Sequence, residues 1–479
     1  YAQIEHNLAR YDIVLTDKLG AQVLRPPGAT PRYFFPLYSH QTPVHRKLDV
    51  EKDIDVAFVG NLNHAIHVER AQYLEQAAKL SDRYRVLIRS GVYAEDYARL
   101  LNRARIVLNY ALRREMNLRC FETLACNALL FVEEDNLEVC DALRDGEEVV
   151  LYRPDNLVAL IEYYLTHPEE AARITRQGHA KAAILAGENR LDTLLNWIAE
   201  QPMGGRAFRE FPEEVQAHAE IMQYASSLVP SQRAFIDELL EPYARKYYKR
   251  PEFLVAAASG VLARIPAAPE EERKALTKDI LGWLKQACLR CKDSAVLWFN
   301  LAFVCRHSSA TPAEVRCLEL TLEAHSCDYG GLLLGSFSDP YYAASRRALA
   351  LGKQRVEMIW AAAATRLAQI WLEREKYEEA RDMAVKSIGW MPNIALPYRI
   401  RAVAESRLGK LEETARILAE GLPLTAFDAD YRMDMVRAWQ ALGKHDEARE
   451  LAAESARLFA ACWGAEEVAK MFQEASETT

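Results

Sequence analysis

The chain has no apolar run approaching the roughly 18 residues of a membrane-spanning helix, which argues against a helical integral membrane protein. It also lacks an excess of positive charge. Sixty lysines and arginines stand against 68 aspartates and glutamates, a formal net charge of −8 with a pI near 5.9, which argues against a general nucleic-acid binder. Cysteine is sparse: nine are scattered over 479 residues, and the close pair Cys288 and Cys291 has no second pair at zinc-site spacing. That distribution leads to the expectation of structural thiols in a reducing cytoplasm. Half of the residues are hydrophobic, so a chain of this length can hold two or three domains with substantial cores.

From Asp53 onward, apolar runs alternate with amphipathic stretches. Strands are expected at Val56 to Val59, Arg85 to Ile88, Ile106 to Leu108 and Leu129 to Val132, with helices around Arg70 to Leu80, Ala94 to Asn102 and Arg119. Such alternation with short links predicts a parallel sheet with right-handed crossovers. Val149 to Tyr152 adds an edge strand, and Asp155 to Leu165 and Pro168 to Leu185 read as closing helices. Ahead of this unit, Tyr11 to Thr16 reads as a late Rossmann-type strand, followed by a proline-rich crossing at Pro26, Pro27, Pro31, Pro36 and Pro43.

The most informative stretch runs from Asn109 to Val132. A strand ends at Asn109, a charged loop follows, and a helix opens with Asn117-Leu118-Arg119-Cys120-Phe121-Glu122. Arg119 and Glu122 are three residues apart on one helix face, at the carboxyl end of a buried strand, where open α/β sheets bind ligands. Backbone N–H groups at a helix start favour a pyrophosphate, a guanidinium grips its oxygens, and a carboxylate one turn later can accept both hydroxyls of a ribose. The same pair on a helix is also a common solvated ion pair.

The run Tyr97 to Asn109, followed by Asn117-x-Arg119-x-Phe121-Glu122-x-Leu124-Ala125-Cys126, resembles the group 1 glycosyltransferases of the spore-maturation type. Asp55 to Gly60 with Arg70, and Asp145 to Tyr152, fall in family order, and the resemblance covers about Tyr11 to Ile198. It implies the C-terminal, donor-binding half of a GT-B fold, a nucleotide-diphosphate sugar as donor, and no obligatory metal. Arg119 and Glu122 are then the residues of the reacting site, with Gly60, Arg89, Glu115 and Asn117 as further donor contacts. Family members often carry two acidic residues separated by seven others, the first touching the sugar and the second the ribose. Here Glu122 fits the second role, but Glu115 is one position closer and Arg114 occupies the matching place. Asn127 stands where the pattern has glycine, and asparagine tolerates a left-handed helix end.

Beyond Gln201-Pro202-Met203-Gly204-Gly205 the chain reads as helical. Tyr377 to Arg381, Leu411 to Ala415 and His445 to Arg449 recur at one constant interval, with small residues Ser387, Gly421 and Ser455 in register and Gly409 and Gly443 before two of the units. That interval, with two helices per unit, is the tetratricopeptide period, a protein- or peptide-binding architecture. Ser294 to Ala324 reads as a divergent unit, and Tyr329 to Pro340 as an irregular insertion.

Other clusters are weaker. Asp53-Ile54-Asp55 precedes its strand, where a metal-binding pair belongs after one, and no metal is expected. His64 and His67 read as an ordinary loop or, less readily, as a substrate contact. Gly60 allows close backbone approach to a phosphate or marks a simple turn, and Arg89 lies at the ligand end of its strand. Arg245 to Arg250 mixes basic and aromatic residues but ends at Pro251 as a solvated helix end does.

The expected organisation is a remnant of a first GT-B domain and crossing over 1–50, a nucleotide-sugar-binding domain over 51–200, a helical connector over 201–250 and a tetratricopeptide-like domain over 251–479. The expected activity is glycosyl transfer from a nucleotide sugar to an unidentified acceptor, with the repeats recruiting a protein. The alternative is a noncatalytic scaffold with a degenerate donor domain. The missing first domain favours the scaffold, and the retained Asn117, Arg119 and Glu122 oppose it.

Overall fold

In a computed structural model, residues 13–23, 31–33, 40–62, 68–185, 187–201, 269–308, 310–326, 356–425, 427–462 and 465–478 are described, with Pro251, Leu254 and Ala258 singly. His64, His67, the Gln201 to Gly205 break beyond Gln201, Arg245 to Arg250 and the insertion at Tyr329 to Pro340 lie outside them. The chain divides into two compact units, one of Tyr11–Gly204 with Leu411–Thr479 and the other including Gly205–Lys410. Leu411–Thr479, expected within one helical array, thus cluster with the sheet.

The first unit opens with β1 (Val14–Thr16), α1 (Lys18–Val23) and β2 (Pro31–Tyr33), and β1 pairs with β2 in parallel. Then come β3 (Ile54–Val59), α2 (Val68–Ala78), β4 (Val86–Arg89), α3 (Ala94–Arg103), β5 (Ala104–Leu108), α4 (Leu118–Ala125), β6 (Leu129–Glu133) and β7 (Val150–Tyr152). All pairings are parallel, in the order β4-β3-β5-β6-β7, as the alternating pattern predicts. Every residue of β6 is buried, as befits a central parallel strand covered on both faces. Each large aliphatic side chain removed from water there contributes about 1.5–3 kcal/mol. Ala57, Val59 and Val107 pack on Ala98 and Leu101 of α3, while Phe58, pointing the other way, lies under Arg70 of α2. Helices α5 (Leu157–Thr166), α6 (Pro168–Ile184) and α7 (Gly187–Glu200) follow, with Glu169 and Glu170 in the first turn of α6.

Strand order reverses between β3 and β5, so the crevice at their carboxyl ends is the topological switch point where such sheets take ligands. After α4, Asn127 adopts φ 55°, the left-handed turn expected of it, and brings the chain into β6.

The other unit contains α8 (Glu270–Arg290), α9 (Ala295–His307), α10 (Thr311–Glu323), α11 (Val356–Glu373), α12 (Tyr377–Trp390) and α13 (Ala395–Arg407). The sheet unit receives α14 (Leu411–Gly421), α15 (Ala429–Ala441), α16 (His445–Ala460) and α17 (Glu466–Thr478). Helices α12, α14 and α16 begin at equal spacing along the chain, and α13 and α15 begin at that same spacing, so the tetratricopeptide-like pairing read from the sequence is present. Ser387, Gly421 and Ser455 are buried. Asp428 caps α15, its side chain accepting from the Tyr431 amide. Among the described residues no helix is long and apolar enough to cross a membrane.

Candidate functional site

Arg119 joins the two strands of the switch point. Its Nε and Nη2 donate to the Val59 carbonyl at 3.0 and 2.6 Å, and Nη1 donates to Asn109 Oδ1 at 3.0 Å. Val59 ends β3, and Asn109 follows β5. The guanidinium also lies 4.5 Å from the centre of the Phe58 ring. These contacts explain Gly60: a Cβ there would come within 2.5 Å of Arg119 Nη2 and 3.0 Å of Phe58. This contact stands beside the two roles read for Gly60, phosphate approach or simple turn. The glycine makes room for a guanidinium.

A second arginine converges on the same place. Arg70, almost fully buried on α2, donates to the carbonyls of Asn61 at 3.1 Å and Tyr110 at 2.9 Å, and sits 5.5 Å from the Phe58 ring centre. Its Nε is buried without a hydrogen-bond partner. Burial, and then the charge of Arg119, lower its pKa to about 10. Two guanidinium groups that repel each other thus share a partly desolvated crevice.

The start of α4 adds to it. Asn117 is the N-cap residue but makes no side-chain cap, its Oδ1 lying 3.9 Å from Cys120 Sγ, and the first turn holds no acidic residue. The positive dipole end of the helix is therefore not offset by an acidic side chain in its own first turn. Glu122 is one turn on. Burial raises its carboxyl pKa, opposed by His45, the Tyr97 hydroxyl and Arg119.

The remaining expected residues lie apart from this cluster in contact, though not in fold. Arg89 ends the edge strand β4 in register with Val59, and its carbonyl accepts from the Gly60 amide at 2.9 Å. Glu115 turns back on its own loop, where its carboxylate accepts the Arg113 amide at 2.9 Å. Arg113 pairs with Asp17, a nearly fully buried carboxylate after β1. Burial raises the pKa of Glu115 first, and the neighbouring Asp17 adds to it. Glu138 ties this loop to the start of α1, accepting from the Lys18 and Met116 amides at 2.9 Å each.

Glu133, at the carboxyl end of β6, carried no expectation. It accepts from the Ala111 amide at 3.0 Å and Asn136 Nδ2 at 2.9 Å, its Oε2 is buried without a partner, and burial pushes its pKa up to about 8. Tyr97 and His45 were equally unforeseen as site residues. Arg70 was visible only through its place in family order. Asp53 and Asp55 do not face the crevice: Asp53 binds Arg85 and Arg103, Asp55 lies near Arg105, and the guanidinium of Arg103 lowers the Asp53 pKa to about 2.

Residues 43–196 match the family model described as glycosyl transferase-like, about a third of the chain. No curated protein matches the chain. Among solved structures, TarM is 11% identical with a TM-score of 0.32, over 41% of this chain and 45% of that one, so this chain spans under half of TarM. MamA is 12% identical with a TM-score of 0.31, over 45% of this chain and 96% of that one. The TPR2AB domain of yeast Sti1 in complex with pHSP90 is 12% identical with a TM-score of 0.23, over 55% and 97%. Likenesses at this level say nothing about ligand or activity.

Proposed function

We propose that the sheet unit binds a nucleoside-diphosphate sugar in the crevice between β3 and β5, and that the protein transfers the glycosyl group to an acceptor. The observation that carries this reading is Arg119, fixed across the switch point by Val59 and Asn109 with Arg70 on the same phenylalanine. A guanidinium has five N–H donors, and the three bonds of Arg119 leave capacity for diphosphate oxygens.

Bond cleavage at the anomeric carbon builds charge on the departing diphosphate. Arg119, Arg70 and the amides at the start of α4 would be set in place before that charge develops, the arrangement that stabilises a transition state without reorganisation. The cationic charge comes from the protein, in keeping with a transfer that has no obligatory metal. Glu122 would hold the ribose hydroxyls, Asn117 would lie beside the diphosphate, and Gly60 and Arg89 would border the pocket. Glu115 is the poorest fit, because its carboxylate is already bound within its own loop.

The helical unit would recruit a protein. Between α10, α11 and α12 it has a groove of about 620 Å³, floored by Leu322, Leu367, Trp371 and Met383 and edged by Glu379 and Asp382.

A thermal-shift titration with uridine, guanosine, thymidine and cytidine diphosphates tests the donor reading. Ligand at a hundredfold excess over Kd stabilises by about 2.7 kcal/mol, a midpoint shift of several degrees for a domain of this size. One nucleotide should give that shift, and Arg119→Ala and Glu122→Ala should abolish it. No shift with any of them would favour the scaffold.

A further inference from the structure

Glu122 is a held carboxylate. Its Oε1 lies 3.6 Å from His45 Nε2, with the two side chains only 14% and 7% exposed. Burial raises the pKa of the Tyr97 hydroxyl, and this carboxylate and Arg119 act on it in opposite directions, the carboxylate raising it and Arg119 lowering it. His45 comes from the segment ahead of β3, Tyr97 from α3 and Glu122 from α4, so three separate parts of the sheet unit meet at this group. The His45 and Tyr97 rings are also packed edge to face, with centres 6.0 Å apart.

The imidazole is oriented. His45 Nδ1 accepts from the Gln41 amide at 3.3 Å, which leaves the ring proton on Nε2, aimed at Glu122. A glutamate on a helix surface samples several rotamers, whereas gripping a vicinal diol requires one fixed plane of two oxygens. Tyr97 adds a link to Arg119, so the residue proposed for the diphosphate and the residue proposed for the ribose share one hydroxyl.

We propose that His45 and Tyr97 are positioning residues that fix Glu122 for ribose recognition, making the site selective for ribonucleotides over 2′-deoxyribonucleotides. The proposal rests on the donor reading above. A hydrogen bond between a hydroxyl and a charged acceptor sets the expected preference at about ten- to a hundredfold. Without its two holders, Glu122 loses its fixed plane, and the preference falls while contacts to the diphosphate persist.

The test is calorimetric titration of the full chain with uridine, guanosine, cytidine and adenosine diphosphates and their 2′-deoxy counterparts, in native protein and in Glu122→Ala, His45→Ala, His45→Gln and Tyr97→Phe. Native protein should prefer the ribo form, and Glu122→Ala should erase the preference. His45→Ala and Tyr97→Phe should each lower it severalfold, with affinity for the deoxy form nearly unchanged. His45→Gln, which can still donate to the carboxylate, should recover part of it. Tyr97→Phe keeps the ring and its packing, so it reports on the hydroxyl even if His45→Ala folds poorly. A full preference in His45→Ala and Tyr97→Phe, with none in Glu122→Ala, overturns the positioning roles and leaves the donor reading standing. A preference that survives in Glu122→Ala, or no binding of any diphosphate, removes the ribose role of Glu122 and the positioning proposal with it.

Discussion

The same helix-pair repeat is used in two settings. In α11 to α13, Ala361, Ala364, Ala368, Ala384 and Ile400 are buried among helices of one helical unit, and Thr365 and Ser387 share a 2.7 Å hydrogen bond inside it. In α15 to α17 the repeat closes on a sheet domain instead. Arg432, buried to 2% exposure, pairs with Glu75 of α2 and donates to Ser455 at 3.3 Å. Lys79 lies 3.1 Å from Glu454, and Ser81 donates to the Arg457 carbonyl at 2.9 Å. The Ile88 amide of edge strand β4 donates to the Ala461 carbonyl at 2.8 Å, beside a parallel bridge from Ile88 to Cys462. The position held by Arg432 is held one repeat earlier by Tyr398, whose hydroxyl donates to the Pro392 carbonyl of its own repeat. The repeat signature thus specifies how paired helices cross. What the outward face meets depends on a few residues outside the signature.

Removing Leu411–Thr479 is the harshest way to break this comparison. It uncovers α2 and the β4 edge together, and a loss above about 5 kcal/mol is expected, since breaking the buried Arg432 pair alone costs about 3–5 kcal/mol. Hydrogen exchange at Ile88 and denaturant unfolding of the sheet unit measure it; an unchanged sheet unit would show the docking to be incidental. Arg432→Met alone should cost up to about 3–5 kcal/mol by leaving the partly buried Glu75 without its partner. The double variant with Glu75→Met should recover most of that loss, because an apolar pair needs no desolvation of charge.

The two units should also separate by pH. Glu133 is held protonated to about pH 8, above its ordinary range near 4.5, so the folded sheet unit binds more protons than the unfolded chain between those values. Its stability therefore falls as pH rises through that window and levels off above it, by about 2–3 kcal/mol from pH 5 to 7 at one proton. Glu133→Gln should flatten this dependence, and a pH series of unfolding curves would show it. The smallest effect belongs to the turn. Gly409 and Gly443 take positive φ between paired helices, and the matching residue of the first repeat, Glu375, does so at φ 59°. Glu375→Gly should stabilise α11 and α12 by about 0.5–1 kcal/mol in thermal unfolding, by relieving a left-handed conformation that a Cβ disfavours.

These contrasts follow what the sequence made legible. The parallel sheet was readable because buried strands are apolar runs between short links, and Arg119 and Glu122 were readable because helical spacing puts them on one face. The turn at Asn127 was readable from side-chain chemistry. Arg70, His45 and Tyr97 are different: each comes from a separate element, and only folding brings them to Arg119 and Glu122. The packing of Gly60 against Arg119 was not legible because Arg119 lies two strands further along the chain. Glu375 hid the third turn because glycine was the signal sought. Arg432 gave no sign of its partner, 357 residues distant, since a single arginine on a repeat helix reads as surface.

The central claim is that the switch point between β3 and β5 binds a diphosphate, and the most direct measurement is a crystal structure of the full chain with the nucleoside diphosphate that stabilises it most. Diphosphate oxygens within hydrogen-bond distance of both Arg119 and Arg70, with the ribose on Glu122, are the predicted result. A nucleotide bound elsewhere, or a crevice left unoccupied by saturating nucleotide, would contradict it.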